Sequence, residues 1–135
     1  MVINMRIYIL SPVRNVSQEQ QDIIDNHVKT LELDGHEVYL PIRDTNQLDP
    51  TGMDICLSYL LAMLEADRID IFWDITSSGS HFDLGMAFAS GKRLKLIYTF
   101  TPDSEGKSYL KVIKELIEVQ AKTKNHFCNR NFNYN

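Results

Sequence analysis

Apolar and polar residues alternate along this chain with two different periods, one typical of strands and the other of helices. Short apolar runs rich in β-branched and aromatic residues predict four strands, over residues 5–10, 36–40, 69–73 and 94–98. Each run is followed by a stretch in which apolar residues recur every three to four positions, which predicts four helices. The first two helices are expected to begin near Ser17 and Thr51, which head capping patterns, and the others to cover about 80–90 and 109–119.

The order of these elements predicts the architecture. Strands that alternate with helices across short loops run parallel, with right-handed crossovers. The sequence therefore predicts a single α/β domain over residues 1–121, with a doubly wound parallel sheet of four to five strands. Residues 41–50 and 101–106 are polar and turn-rich, which predicts loops. Residues 122–135 form an asparagine-rich tail without a clear period, expected to be loosely packed or docked on a partner.

Composition and charge exclude several functional classes. The net charge is −4 and no long basic run is present, so a nucleic acid polymer is not expected as a partner. The apolar run at 7–10 is too short for a signal peptide and no stretch is long enough to cross a membrane, so a cytoplasmic location is expected. The two cysteines are far apart and match no metal or redox spacing, and neither a metal nor a cofactor is predicted.

The stretch over residues 74–87, DITSSGSHFDLGMA, carries the densest group of candidate functional residues. It joins a predicted strand to a predicted helix through a serine- and glycine-rich turn, and open α/β sheets build their sites at such carboxyl ends of strands. Free backbone N–H groups at the start of a helix attract anions, and Ser77, Ser78 and Ser80 add hydroxyls beside them. With Asp83 expected in the first helical turn, the stretch predicts a sugar-phosphate site in which this carboxylate faces the sugar.

Four candidate residues have simpler interpretations as well. Ser80 and Asp83 have the spacing of a capping box, which accounts for an acid there without catalysis. The helix dipole is also expected to keep the carboxylate ionised at neutral pH, as a nucleophile that attacks a sugar carbon requires. Tyr8, inside the first strand, needs only one hydrogen-bond partner as a buried phenol. His81 is a candidate proton donor, although it is expected to point to solvent at the second position of its helix.

Polar residues after the first three strands are predicted to converge. Their loops all emerge at the same edge of a parallel sheet. Arg14, after the first strand, presents a planar fork of donors suited to phosphate, although a solvated loop arginine is the simpler interpretation of that residue alone. The residues expected to meet at this edge are Arg14, Asp44, Asn46, Gln47, Asp74, Ser77 and Asp83.

Three blocks of the sequence resemble one enzyme family. They are Ile7-Tyr8-Ile9-Leu10-Ser11-Pro12-x-Arg14, then Ala66-Asp67, then Ser77-x-Gly79-x-x-x-Asp83-Leu84-Gly85-x-Ala87. Over residues 5–115 the pattern resembles the nucleoside 2-deoxyribosyltransferase superfamily, most closely its branch of 2′-deoxynucleoside 5′-monophosphate N-glycosidases. The resemblance implies a flavodoxin-like (Rossmann-like) fold, a homodimer or larger homo-oligomer, and a carboxylate that attacks C1′ of deoxyribose to cleave or exchange the N-glycosidic bond.

The resemblance also implies roles for individual residues. Asp83 takes the place of the nucleophilic acid, and Tyr8 that of a tyrosine that hydrogen-bonds near it. Ser77 has the spacing at which the monophosphate-specific branch has serine, and Gly79 that of a glycine whose backbone approaches the phosphate. The other candidates are Ser11 and Arg14 for phosphate, Ser108 for a contact with a neighbouring subunit's phosphate, and Asp44, Gln47, Asp74 and Trp73 for sugar or base.

Two positions depart from the family pattern. The family nucleophile is usually glutamate; aspartate is shorter by about 1.5 Å, and a misplacement near 1 Å costs on the order of 100-fold in rate. Where this chain has Tyr59 the family carries an acid, whose role could pass to Asp54 or Asp74.

The sequence therefore supports two hypotheses, with the base, the sugar and the choice between hydrolysis and transfer left open. One is an N-glycosidase or deoxyribosyltransferase for a 2′-deoxynucleoside 5′-monophosphate. The other is a nucleotide-binding module or sensor that kept the phosphate site and lost catalysis. A phosphoacceptor receiver domain is disfavoured, because Ser11-Pro12 supplies no acids after the first strand.

Overall fold

Four parallel strands form a central sheet with helices on both of its faces. This architecture comes from a computed structural model that describes residues 4–123. In chain order the elements are β1 (Arg6–Leu10), α1 (Gln18–Leu33), β2 (Glu37–Tyr39), α2 (Pro41–Asp44), α3 (Met53–Glu65), β3 (Arg68–Trp73), α4 (Ser78–Ser90), β4 (Arg93–Thr99) and α5 (Tyr109–Thr123).

The strand order is β2-β1-β3-β4, and every neighbouring pair is parallel. The chain therefore moves outward in one direction after β1 and in the other after β3, so the direction of winding reverses between these two central strands. Ligands of open α/β sheets bind at such a switch point, outside the carboxyl ends of the strands. The predicted doubly wound, flavodoxin-like sheet is confirmed, with four strands in the described part of the chain.

Alternating residues of the central strands enter two separate cores. Ile7 and Ile9 pack with α1 on one face of the sheet. Tyr8 and Leu10 point to the other face, where they pack with residues of α3, α4 and α5. Because successive side chains of a strand point to opposite faces, this register places the Tyr8 phenol under the same helices that carry Tyr59 and Asp83.

The helix boundaries follow the predictions in part. The Ser17 capping box of α1 is present, with Gln20 as the reciprocal partner. The pattern expected at Thr51 is wrong as the cap of α3, because the Asp49 carboxylate accepts the N–H groups of Asp54 and Ile55 at 2.8 and 3.2 Å. The predicted 41–50 loop contains the short helix α2.

The last helix, α5, continues to Thr123, four residues past its predicted end. The predicted tail from residue 124 onward, including Cys128, lies outside the described residues, and the division at 121 stays a prediction. Within residues 4–123, none of the helices has the length and apolar character that crossing a bilayer requires.

Gln120 joins α5 to the start of β4, and we expect its loss to weaken the fold. Its side chain accepts the Leu94 N–H and donates to the Lys92 carbonyl, both at 2.9 Å. Replacing Gln120 by leucine leaves these backbone groups without partners, which should lower the free energy of unfolding by about 1–3 kcal/mol. Urea denaturation measures the change. Glu118→Leu, at an exposed position of the same helix, is the control and should change stability by less than about 0.5 kcal/mol.

Candidate active site

The turn between β3 and α4 is shaped by Asp74. Its Oδ1 accepts the backbone N–H of Thr76 at 2.9 Å and the Thr76 hydroxyl at 2.6 Å. Its carbonyl accepts the N–H of Ser77 at 3.1 Å. This carboxylate, only 8% exposed, therefore directs the chain from the end of β3 into α4, and one of its two oxygens is already engaged within the turn.

The helix α4 begins two residues earlier than predicted. Ser77 is its N-cap: the Ser77 hydroxyl accepts the Ser80 N–H at 3.2 Å and donates to the Ser80 hydroxyl oxygen at 2.9 Å. The predicted capping box of Ser80 and Asp83 is wrong, because no acidic residue lies in the first turn. Asp83 is the sixth residue of α4, beyond the first turn in which the helix dipole acts most strongly.

Asp83 lies on the buried face of α4 and is only 5% exposed. Within residues 4–123 its carboxylate accepts no hydrogen bond, so nothing offsets the loss of water around the charge. Burial therefore raises the pKa of Asp83 from 3.8 to about 7. The expectation that the helix dipole keeps this carboxylate ionised at neutral pH is wrong, because desolvation is the dominant effect.

Tyr8 faces the same buried space. Its side chain is fully buried, and its hydroxyl has no hydrogen-bond partner in the described part of the chain. Burial raises the pKa of Tyr8, and the charge of Asp83 raises it further. A buried hydroxyl without a partner costs about 1–3 kcal/mol. Such a group beside a carboxylate of raised pKa is typical of a functional site.

Tyr39 and Tyr59 complete a cluster of phenols around this space. The Tyr8 ring stacks on Tyr39 at 5.5 Å between ring centroids and meets the edge of Tyr59 at 6.2 Å. The pKa of Tyr59 is raised by burial, with a smaller contribution from the charge of Asp83. The sequence singled out Tyr59 only as the place of a missing acid, and nothing in it marked Tyr39. The structure puts a phenol near Asp83 at that position.

Two of the predicted sugar or base contacts hold the neighbouring loop in place. The amide nitrogen of Gln47 donates to the Tyr59 hydroxyl at 3.2 Å and to the Pro41 carbonyl at 3.0 Å. The Asp44 carboxylate accepts the Leu40 N–H at 2.8 Å and pairs with Arg43 at 2.9 Å. Gln47 therefore reaches the phenol cluster, whereas Asp44 is engaged at the short helix α2.

The predicted phosphate residues lie on separate segments of the site. Ser11 is buried at the end of β1. Arg14 is exposed in the loop that follows, and its guanidinium makes no ion pair or hydrogen bond with any other residue between 4 and 123. The next residue, Asn15, has a φ of 55°, in the left-handed region that asparagine tolerates better than most residues. No hydrogen bond joins Arg14 to Ser77 in the described chain.

Gly79 is exposed in the first turn of α4. A Cβ atom added to it would meet nothing within 4 Å, and its φ is not positive. Neither packing nor backbone conformation within residues 4–123 therefore requires glycine here. An open approach to the backbone N–H groups of the first turn is what a phosphate at a helix N-terminus uses.

A cleft of about 480 Å³ opens between the beginnings of α4 and α5. Trp73 and Ser108 line this cleft, whereas Asp83 and Tyr8 do not. The structure thus places Asp83 and Tyr8 in a buried cluster of phenols and a carboxylate, and Trp73 and Ser108 at an open aromatic cleft.

His81 is part of the cleft, and the expectation that it points to solvent is wrong. Its Nδ1 donates to the Ser77 carbonyl at 2.7 Å. Its ring lies 4.8 Å from Trp73 and 5.6 Å from Tyr109, measured between centroids. With Ser77 as the N-cap, His81 is the fourth residue of α4, and its ring reaches back to the cap carbonyl.

The described residues also bear on metal binding. Between residues 4 and 123 no group of three or more His, Cys, Asp or Glu side chains is placed to hold a metal ion. The groups that the site offers are a carboxylate, phenols, serine hydroxyls and backbone N–H groups.

Two proteins of known structure share the fold of this chain. A CMP N-glycosidase from Clostridium botulinum, BcmB, is 23% identical; the match covers 83% of this chain and 81% of BcmB, with a TM-score of 0.53. A 2-deoxyribosyltransferase from Bacillus psychrosaccharolyticus is 18% identical; the match covers 79% of this chain and 89% of that enzyme, with a TM-score of 0.61. No protein-family model and no curated protein sequence matches. At these identities the two structures establish the shared fold, and both are enzymes of the kind that the sequence resemblance names.

Proposed function

We propose that this protein cleaves or exchanges the N-glycosidic bond of a 2′-deoxynucleoside 5′-monophosphate. The observation that carries the proposal is the buried Asp83 carboxylate, which accepts no hydrogen bond within residues 4–123 and lies near enough to the partnerless hydroxyl of Tyr8 for its charge to raise the pKa of that phenol. Tyr8 lies on β1, one of the two central strands between which the winding reverses, and Asp83 lies on the helix that follows the other, β3. The N-glycosidase and the deoxyribosyltransferase that share the fold act by name on nucleosides or nucleotides, which supports this class of substrate.

The phosphate would lie at the beginning of α4. Backbone N–H groups of the first turn, next to the open side of Gly79, would bind its oxygens. Arg14 has a guanidinium free of other partners within residues 4–123 and would close over the phosphate from the β1 loop, with Ser11 below it. The Ser77 hydroxyl serves the cap, so we expect Ser77 to act mainly by setting the position of the first turn.

The sugar would lie against Asp83. In the first step the ionised carboxylate attacks C1′ through an oxocarbenium-like transition state, as the bond from C1′ to the base nitrogen breaks with its electron pair. The departing base takes up a proton from water. Water, or a second base in a transferase, then attacks C1′ of the resulting ester and releases Asp83 as a carboxylate. The Tyr8 hydroxyl would donate a hydrogen bond that orients this carboxylate.

The base has two candidate positions. Gln47 reaches the phenol cluster near Asp83, while Trp73 and His81 line the aromatic cleft on the other side of α4. The phenol side is favoured because it adjoins Asp83 directly. Asp74 and Asp44 would contribute indirectly, since their carboxylates hold the turns that present these side chains. Ser108 would contact phosphate only from a neighbouring subunit.

A panel of ribo- and 2′-deoxynucleoside 5′-monophosphates, with the matching nucleosides, tests the proposal. Release of free base from one or more monophosphates, monitored by chromatography, is the expected result, with nucleosides turned over much more slowly. Nucleotide binding without any base released after long incubation would instead support the hypothesis of a binding module. Neither binding nor turnover by any member of the panel would reject both.

We expect base release to depend on the ionisation of Asp83. Burial raises its pKa to about 7, and the nucleophile must be deprotonated, so kcat/KM should rise about tenfold per pH unit below 7 and level off above it. Initial rates between pH 5 and 9 measure the profile. The substrate phosphate also titrates near pH 6, so nucleotide affinity of an Asp83→Asn variant over the same range is the control. If that affinity alone reproduces the profile, the assignment to Asp83 is wrong.

A further inference from the structure

The hydrogen bond between Gln47 and Tyr59 has a fixed direction. The side-chain nitrogen of Gln47 lies 3.0 Å from the Pro41 carbonyl oxygen and 3.2 Å from the Tyr59 hydroxyl oxygen. A backbone carbonyl can only accept a hydrogen bond, so the group of Gln47 that meets it is the NH₂ group, which can only donate. The Tyr59 oxygen is therefore the acceptor in its bond with Gln47.

The proton of the Tyr59 hydroxyl stays available for another bond. Tyr59 is 6% exposed, and within residues 4–123 its hydroxyl makes no hydrogen bond besides the one from Gln47. A phenol that accepts a hydrogen bond can still donate one. Burial raises the pKa of Tyr59, so the hydroxyl keeps its proton at neutral pH. The result is a buried donor whose orientation is set by a second side chain.

The other two phenols of the cluster differ from Tyr59. The Tyr39 hydroxyl is already hydrogen-bonded to the Thr45 hydroxyl. The Tyr8 hydroxyl has no partner within residues 4–123, and no side chain sets its direction. Tyr59 is thus the phenol of this cluster that combines a free proton with a fixed orientation.

Tyr59 lies close to the position proposed for the bond that breaks. Besides burial, the charge of Asp83 raises the pKa of Tyr59, and α3 packs directly against α4. In the proposed reaction the base leaves C1′ with the electron pair of the broken bond, so negative charge develops on the base. Acceptor atoms next to the glycosidic nitrogen, such as O2 of a pyrimidine or N3 of a purine, share this charge.

We propose that Tyr59 is a catalytic residue that donates a hydrogen bond to an acceptor atom beside the glycosidic nitrogen of the departing base. This inference rests on the proposed function. Tyr59 keeps its own proton throughout, and the departed base takes up a proton from water. Hydrogen bonds to a charged acceptor are stronger than those to a neutral one, so this bond stabilises the transition state more than the bound substrate. Its loss should lower kcat more than it changes KM.

Single-turnover base release from nucleotides whose bases differ in acidity tests the inference. An activated base, such as a 5-fluoropyrimidine or a 7-methylpurine, needs less stabilisation as it leaves than the unmodified base does. Tyr59→Phe keeps the ring and removes the donor. It should slow release of the unmodified base on the order of 10- to 100-fold and release of the activated base much less, with nucleotide affinity nearly unchanged.

Gln47→Glu tests the direction of the bond while the Tyr59 hydroxyl stays in place. Glutamate accepts the Tyr59 proton and so turns the donor away from the base. This variant should show the same selective slowing as Tyr59→Phe, and the double variant should show no further selectivity. Circular dichroism confirms that each variant is folded.

Tyr39→Phe is the matched control, because it removes a hydroxyl of the same cluster that is already bonded to Thr45. Whatever its effect on the overall rate, it should leave the ratio between the rates for activated and unmodified bases at the wild-type value. A wild-type ratio in Tyr59→Phe or in Gln47→Glu overturns the inference and leaves the proposed function standing. A wild-type chain that releases no base from any nucleotide overturns both.

Discussion

Replacing Asp83 by asparagine should abolish base release and at the same time stabilise the folded chain above neutral pH. The loss of the nucleophile should lower kcat/KM by at least about 1,000-fold. The gain in stability follows from the raised pKa of about 7 against the ordinary value of 3.8. Between these two values the folded chain binds a proton that the unfolded chain has released, so the stability of the wild-type protein falls as the pH rises from 4 to 7.

Asparagine has no proton to lose, so this loss of stability should be absent in the variant. We expect Asp83→Asn to be more stable than the wild type by on the order of 2–4 kcal/mol at pH 8 and nearly equal to it at pH 4. Urea denaturation at the two pH values measures the difference. Asp25→Asn, an exposed position on α1, controls for the general effect of removing one carboxylate and should alter neither activity nor the pH dependence.

Base release and stability, measured together, distinguish a loss of catalysis from a loss of folding. A variant that loses activity because it misfolds should be less stable at both pH values, whereas the buried-nucleophile model requires it to be more stable at pH 8. Full activity in Asp83→Asn would eliminate Asp83 as the nucleophile. Equal stability at pH 8 would show that the carboxylate is more hydrated than its burial indicates.

The fold could be predicted because the apolar patterns that indicate strands and helices repeat along the sequence. Strand runs and helical stripes recur along the chain, and parallel connectivity with right-handed crossovers leaves few arrangements of them. Side chains alternate between the two faces of the sheet along a strand, so the sequence also predicted which face each residue points to. Tyr8 and Leu10 point to the same face because they are two positions apart. Such inferences tolerate errors at the ends of elements: one residue at each end of β2, and four at the end of α5.

The start of α4 was harder to predict, because three serines within four residues are all suitable N-caps. The sequence favoured Ser80 through its spacing to Asp83. The structure uses Ser77, since the bonds of Asp74 with Thr76 and Ser77 close the preceding turn. With the cap at Ser77 instead of Ser80, Asp83 lies beyond the first turn, and its burial raises its pKa where the helix dipole was expected to keep the carboxylate ionised.

The remaining features depend on contacts between distant segments. The missing partner of the Tyr8 hydroxyl, the bond from Gln47 to Tyr59 and the ring contacts of His81 each involve residues that no local pattern connects. Burial and the absence of a partner are properties of the packed molecule. A sequence can nominate a tyrosine or a histidine for a site, but the surroundings that make it useful appear only in three dimensions.

The surroundings of Asp70 also could not be predicted from the sequence. Replacing Asp70 by alanine should lower the free energy of unfolding more than any other single substitution proposed. The side chain is fully buried on the α1 face of the sheet. Arg68 donates to it at 2.6 and 3.0 Å, and the His27 Nε2 lies 2.7 Å from it. Removal leaves a largely buried guanidinium without its counter-ion, which costs about 3–5 kcal/mol.

Thermal and urea unfolding of Asp70→Ala measure this loss, and an exposed ion pair provides the scale. Glu37 pairs with Arg6 at 3.3 Å with both side chains mostly exposed, so Glu37→Ala should cost no more than about 1 kcal/mol. Replacing Asp70, Arg68 and His27 together by leucine or methionine should recover much of the loss, because the cost arises from the unpaired charge.

Since Asp70 lies on the face opposite Tyr8 and Asp83, Asp70→Ala should retain its base-release rate below its unfolding temperature. A parallel loss of rate there would mean that the two faces of the sheet are coupled through β3.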